Sequence, residues 1–174
     1  IWCWNLVEQS VQKKINGSVL SLLTGGGGNN NYWHWLFDVL PRLAICQEII
    51  NLEKINYFLV PNNKRIFQKE TLDILKINEN KQISSENFRH IICDKLFVTS
   101  HPVVRSNDVT KEVQNIPLWI SEWLKKTFMH MNSKKFSKKI YIDRSDSTSN
   151  VKHLRTIKNE DEVKNYLSGI GFEN

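Results

Sequence analysis

Several things are scarce in this sequence, and each scarcity closes a class of function. Only three cysteines occur in 174 residues. Cys3, Cys46 and Cys93 form no C-x-x-C pair and no metal-finger spacing, which argues against a disulfide framework and a zinc module. They read instead as reduced, buried thiols of a cytosolic protein. His90, His101, His130 and His153 fall at no ligand spacing, so no metal and no cofactor is expected. No apolar run approaches the roughly 20 residues of a membrane span, and no signal peptide is visible. The dinucleotide pattern G-x-G-x-x-G and the phosphate-loop pattern G-K-[ST] are both missing. Internal repeats and long low-complexity tracts are missing too.

What is present is enough for a real core. The chain is 40% hydrophobic and 10% aromatic, and its length suits one domain, or one domain plus part of a second. It starts on Ile1 and ends on residues that read as the start of a strand, so it is expected to be a fragment. The formal charge of +6 favours an anionic partner such as a nucleotide phosphate, nucleic acid or an acidic membrane face. A lysine-rich composition alone produces the same balance. The basic residues are scattered or sit in short pairs, Lys13-Lys14 and Lys138-Lys139, with no nucleic-acid motif around them. Nucleic acid is therefore not expected as a partner. Peripheral association with a membrane face stays open.

Strand-like and helix-like segments alternate, which indicates a layered α/β fold. Val19 to Leu23 reads as a strand, followed by a loop over Gly25–Asn31 and a helix from about Tyr32 to Ile50. Pro41 inside that helix removes a donor and should kink it near Leu40. Ile55 to Val60 is a strand stopped by Pro61-Asn62-Asn63, Ile66 to Leu75 has helical spacing, and Lys81 to Ser84 reads as a brief strand. His90 to Thr99 reads as two short strands around Asp94-Lys95. Pro102 to Asn115 looks like a surface loop. Pro117 opens a helix that carries Trp119 and Trp123, both expected in the core. Met131 to Lys138 is polar and lysine-rich. Ile140 to Ile142 is a strand, and Asn159 caps a helix from Glu160 to about Ser168 that ends at Gly169 or Gly171.

The densest chemistry lies in the run Asn31-Tyr32-Trp33-His34-Trp35-Leu36-Phe37-Asp38-Val39-Leu40-Pro41-Arg42. On a helix His34, Asp38 and Arg42 recur at i, i+4 and i+8 along one face. Trp33, Leu36, Phe37, Leu40, Leu43 and Ala44 form a separate stripe with core-facing spacing. A carboxylate one turn from an imidazole raises its basicity and fixes its orientation, which suits removal of a proton from a hydroxyl. The same two residues also suit a plain ion pair on a helix surface. Arg42 is either a partner of Asp38 or a ligand for an anionic group. The glycines before the helix are either a flexible turn or bare backbone open to a sugar or phosphate. Arg144 directly follows a strand and Arg155 lies beyond a Ser/Thr/Asn-rich loop. Two such guanidiniums suit a diphosphate, or they are ordinary surface charge.

A Gly/Asn-rich loop leading into this particular run resembles the N-terminal signature of glycosyltransferase family 61. The resemblance returns at Lys139-Ile140-Tyr141-Ile142-Asp143-Arg144-Ser145-Asp146, at Arg155, at Asn159-Glu160-Asp161-Glu162-Val163 and at Gly171-Phe172-Glu173, in the family's order. The family's later glycine-rich His-Gly-Ala-type block is not in this chain. The resemblance implies a GT-B architecture of two Rossmann-like domains. Residues 1–131 would then be an N-terminal acceptor-side α/β domain, 132–138 a linker and 139–174 the truncated beginning of the nucleotide-sugar domain. It also implies an inverting transfer of a sugar from a nucleotide diphosphate sugar to a glycan hydroxyl, in the cytoplasm or at the inner face of the membrane. The bacterial members suggest surface or capsular polysaccharide synthesis.

The candidate site is therefore His34 and Asp38 as the catalytic pair, either one the base. Asn31, Tyr32, Trp35 and Arg42 are the expected substrate contacts, and Arg144 and Arg155 the expected holders of the donor diphosphate. The fragment alone is expected to be inactive. The reading from another class is a non-catalytic carbohydrate- or nucleic-acid-binding domain.

Overall fold

The computed structural model describes residues 12–24, 30–88, 90–103, 115–129, 139–143 and 157–173. The chain separates into two compact units, Ile1–Met131 and Asn132–Asn174.

The first unit is an α/β domain on a four-stranded sheet with the order β3-β2-β1-β4. The strands are β1 (Lys13–Ser21), β2 (Tyr57–Val60), β3 (Gln82–Ser84) and β4 (Ile91–Val98). Every pairing is parallel: Leu20 lies beside both Phe58 and Phe97, and Phe58 beside Gln82. An all-parallel sheet needs crossovers. The first is built from α1 (Tyr32–His34), a π-helical turn (Trp35–Val39) and α2 (Pro41–Gln47), and the second contains α3 (Ile66–Ile74). Side chains alternate across the sheet. Leu20, Leu22, Phe58 and Val60 join the larger core, while Val19, Leu59 and Ile83 form a smaller cluster that Phe88 covers. This is the layered α/β fold expected from the alternating elements, and it is compatible with the Rossmann-like domain that the resemblance implies.

The expected interruption at Asp94-Lys95 takes a different form. β4 is continuous, and the irregularity falls on its partner, where the register shifts between Ile15 and Ser18. Gly17 sits there with φ +114°, a conformation that side chains resist. Its N–H donates to the Asp94 carboxylate at 2.6 Å. An added Cβ would come within 2.6 Å of Asn56 Oδ1.

The helix after β1 is broken as expected, and the break explains its packing. Pro41 is the first residue of α2; it has no N–H, and its ring clashes with the carbonyl four residues back in a regular helix. The turn before it widens, so that Leu40 N–H donates five residues back to the Trp35 carbonyl at 3.0 Å. One wide turn rotates the inner face. The fully buried residues are Trp35, Val39, Leu40 and Leu43, with Cys46 also in the core. Trp33, Leu36 and Phe37, expected in the stripe, are only partly buried.

α4 (Leu118–Phe128) follows Pro117 as expected. Ile120 is fully buried and Trp123 packs partly against the core, but Trp119 is 37% exposed. The expectation that both tryptophans are core holds for Trp123 only. At the end of α3, Lys76 adopts φ 59°. Ile77 N–H bonds the Leu72 carbonyl and Lys76 N–H the Asp73 carbonyl, a Schellman cap with lysine where glycine is usual.

In the second unit Ile140 pairs in parallel with Glu173, on either side of α5 (Glu160–Gly169). The expected strand over Ile140–Ile142 is reduced to this single bridge. Gly171 closes α5 at φ +87°, and Phe172 N–H reaches the Leu167 carbonyl. The Asn159 side chain makes no bond to the helix backbone and donates instead to Glu162 at 3.0 Å. The Tyr141 hydroxyl donates to Glu160 at 2.9 Å, and that bond pushes the phenol above its ordinary range. Lys164 pairs with Asp143, which holds its ammonium above the usual lysine range. Among the described residues no helix is long and apolar enough to cross a membrane.

Candidate functional site

In a parallel α/β sheet the ligand crevice lies outside the carboxyl ends of the strands, where the strand order reverses. Here that point is between β1 and β4. The chain leaving β1 enters α1, and the chain leaving β4 continues through Thr99, Ser100 and His101. The groups that meet there are His34, Asp38, Arg42 and His101.

Asn31 sets the start of α1. Its side-chain oxygen accepts from the backbone N–H of Trp33 at 2.9 Å and of His34 at 3.3 Å, satisfying two donors a helix start leaves open. This oxygen, from a residue expected to touch substrate, is committed to the helix. Tyr32 is 55% exposed and rests edge-on against Phe67, so it presents an aromatic surface. Trp35, also expected at the substrate, is fully buried. Its indole N–H donates to the Thr71 hydroxyl at 2.9 Å, which anchors the π-helical turn to α3.

His34 and Asp38 meet as their spacing requires. The His34 Nδ1 to Asp38 Oδ2 distance is 2.6 Å, with side chains 39% and 13% exposed. A carboxylate only accepts, so Nδ1 carries a proton, and in the neutral ring Nε2 keeps its lone pair. The edge of the Trp33 ring lies against the imidazole, centroids 5.1 Å apart. The imidazole is therefore oriented by a partly buried carboxylate while the ring stays reachable.

Arg42, also expected at the substrate, bonds two backbone carbonyls. It is 7% exposed. Its Nε donates to the Asp38 backbone carbonyl at 3.1 Å and its Nη1 to the Thr99 carbonyl at 3.3 Å. It ties the wide turn to the chain leaving β4.

His101 is the residue that spacing did not reveal. Its Nε2 lies 3.8 Å from Asp38 Oδ1, and its side chain is 21% exposed. It is 63 positions from Asp38 in the chain, and only the pairing of β1 with β4 brings the two together. A sequence signal existed, a histidine three residues past a strand, but it has no partner at helical spacing.

Arg144 and Arg155 lie outside the described residues, as do Gly25–Gly28. No three His, Cys, Asp or Glu side chains converge on a metal-binding geometry among the described residues. A groove of about 610 Å³ lies between α2 and α4. Its walls are Ala44, Ile45, Ile49, Trp119 and Trp123, and none of the candidate residues lines it.

The arrangement supplies one oriented imidazole base, a shared carboxylate, a second imidazole and an exposed aromatic ring. The family model described as Glycosyltransferase 61 matches residues 32–174, which takes in all of these groups. No curated protein and no solved structure matches the chain.

Proposed function

The chain belongs to glycosyltransferase family 61, and from that premise we propose an inverting transfer of a sugar from a nucleotide diphosphate sugar to a glycan hydroxyl. Family membership carries glycosyltransferase activity in general, and with it a sugar donor and an acceptor. The finer reading rests on one observation, the 2.6 Å contact of His34 Nδ1 with Asp38. An inverting displacement needs a base on the attacking hydroxyl and charge stabilisation on the leaving diphosphate. His34 Nε2 takes the proton of the acceptor hydroxyl as the oxygen attacks the anomeric carbon. Asp38 keeps the ring in the productive tautomer and stabilises the imidazolium that forms. The bond to the diphosphate breaks, and Arg144 and Arg155 hold the leaving group.

Under the same proposal the enzyme has the GT-B architecture, with residues up to 131 on the acceptor side and those from 139 opening the nucleotide side. It works in the cytoplasm or at the inner membrane face, in surface or capsular polysaccharide synthesis. Its base chemistry calls for no catalytic metal. The test is a screen of nucleotide diphosphate sugars against the full-length protein with glycan acceptors, following release of the nucleoside diphosphate. Acceptor-dependent release with an inverted anomeric product supports the reading. Binding of glycans with no release from any donor supports the non-catalytic alternative.

A further inference from the structure

We propose that His101 is a positioning residue for this reaction, holding the Asp38 carboxylate in place for His34 through its own Nε2–H. The inference rests on the reading of His34 as the base. Asp38 has two oxygens with different neighbours: Oδ2 takes the His34 contact at 2.6 Å, and Oδ1 faces His101 Nε2 at 3.8 Å. A carboxylate that accepts on one oxygen only is free to swing about its terminal torsion, which is a broad one. A base oriented by such a carboxylate is no better fixed than the carboxylate itself. Productive geometry tolerates errors of only about 0.5 Å.

His101 is itself anchored on its other nitrogen. Nδ1 lies 2.8 Å from the Val103 carbonyl and 3.2 Å from the Val103 N–H. The carboxylate selects among the forms of this ring. A neutral ring with its proton on Nδ1 would aim a lone pair at Asp38. With the proton on Nε2, the ring aims a donor at Oδ1 and Nδ1 accepts from Val103 N–H, at the cost of a lone pair facing the Val103 carbonyl at 2.8 Å. An imidazolium donates at both ends. Both forms that suit Asp38 carry Nε2–H, so the ring bridges Val103 and the carboxylate. The 3.8 Å separation is longer than a hydrogen bond, and contacts of this kind commonly tighten only when substrate closes the site. Arg42 reinforces the same junction from the backbone side, since it binds the carbonyls of Asp38 and Thr99. The charged and titratable groups facing Asp38 among the described residues are thus His34, Arg42 and His101, from α1, α2 and the chain after β4.

Two nearly equal substitutions separate this role from simple loop anchoring. Glutamine places its amide nitrogen where Nε2 stands, so His101→Gln keeps a donor toward Asp38. Asparagine places its amide nearer Nδ1, so His101→Asn keeps a partner for Val103 and gives up the reach to Asp38. In the full-length enzyme, with the donor and acceptor found by the screen, His101→Gln should keep kcat within about threefold of wild type. His101→Asn should lose about tenfold or more in kcat at little changed acceptor KM, because the lost contact orients the base rather than binding substrate. Equal kcat in the two variants overturns the proposal. His34→Ala is the control for the underlying reading: if it stays active, the base assignment fails, whereas an inactive His34→Ala beside indistinguishable Gln and Asn variants removes His101 alone. Should both His101 variants fail to fold, Asp38→Asn supplies the second readout, by imidazole nitrogen NMR. Loss of the carboxylate should change the ring signals of both His34 and His101, and a His101 signal that does not move contradicts the contact.

Discussion

Two regions of the first unit invite opposite conclusions about where its work is done. The groove between α2 and α4 has the volume, about 610 Å³, with apolar walls at Ala44, Ile45, Ile49, Trp119 and Trp123. Its charged groups, Glu48, Glu122 and Lys126, are exposed at the rim, and no histidine lines it. The junction of β1 and β4 instead brings two imidazoles to one carboxylate, at 2.6 and 3.8 Å. Shape alone says where an apolar molecule fits. A proton-transfer reaction needs a base with an orienting partner, and only the junction has one. The difference follows from topology: the junction lies at the carboxyl ends of the strands, where the chain turns from β1 into its crossover.

Substitutions can break or sharpen this contrast. Trp35 anchors the junction's helix in the core, and Trp119 walls the groove. Trp35→Ala should cost about 3–5 kcal/mol in chemical denaturation. Trp119→Ala, at a half-exposed site, should cost about 1 kcal/mol or less and leave transfer intact. Loss of transfer in a folded Trp119→Ala would move the site to the groove. Arg144→Ala and Arg155→Ala should each weaken nucleoside diphosphate binding by about tenfold, the worth of roughly 1.5–3 kcal/mol for a bond to a charged group. Lysine should not restore either, for want of the planar fork. Unchanged affinity measured by calorimetry would return both to surface charge.

Smaller effects probe the scaffold of the junction. Gly17→Ala places a Cβ 2.6 Å from Asn56 Oδ1 at φ +114°, and should cost about 1–3 kcal/mol in thermal unfolding. Smaller still is the acid response of Glu86. Its bond to Lys64 holds its carboxyl below the usual glutamate range, with Asn62 adding a second bond. A depressed carboxyl contributes stability above the ordinary glutamate range and loses it as pH falls through the folded value. Glu86→Gln should therefore lower stability slightly at neutral pH and change it little in acid, flattening the acid limb, measured as denaturation midpoint against pH.

How legible this was from sequence differs by residue, for physical reasons. The parallel α/β layering follows from alternating strand and helix patterns, and the kink at Pro41 follows from the missing N–H. The contact of His34 with Asp38 is a local, one-turn contact, and local spacing encodes it. The buried stripe shifted from Trp33 and Phe37 to Trp35 and Val39 because the wide turn before Pro41 changes the period, which a regular-helix reading holds fixed. The bond of Arg42 to the Thr99 carbonyl was not legible, because it depends on the chain after β4. His101 was missed for the same reason: its partner is remote in sequence and adjacent only through strand pairing. Periodicity reports what one element does, and the junction is made by two.

The central claim is that the His34–Asp38 pair is the base of the transfer. The most direct test is the kcat of full-length His34→Ala with its folding verified and its nucleoside diphosphate affinity measured alongside. The account predicts a loss of about 100- to 10,000-fold in kcat with donor affinity unchanged. A folded His34→Ala that turns over at the wild-type rate would contradict it.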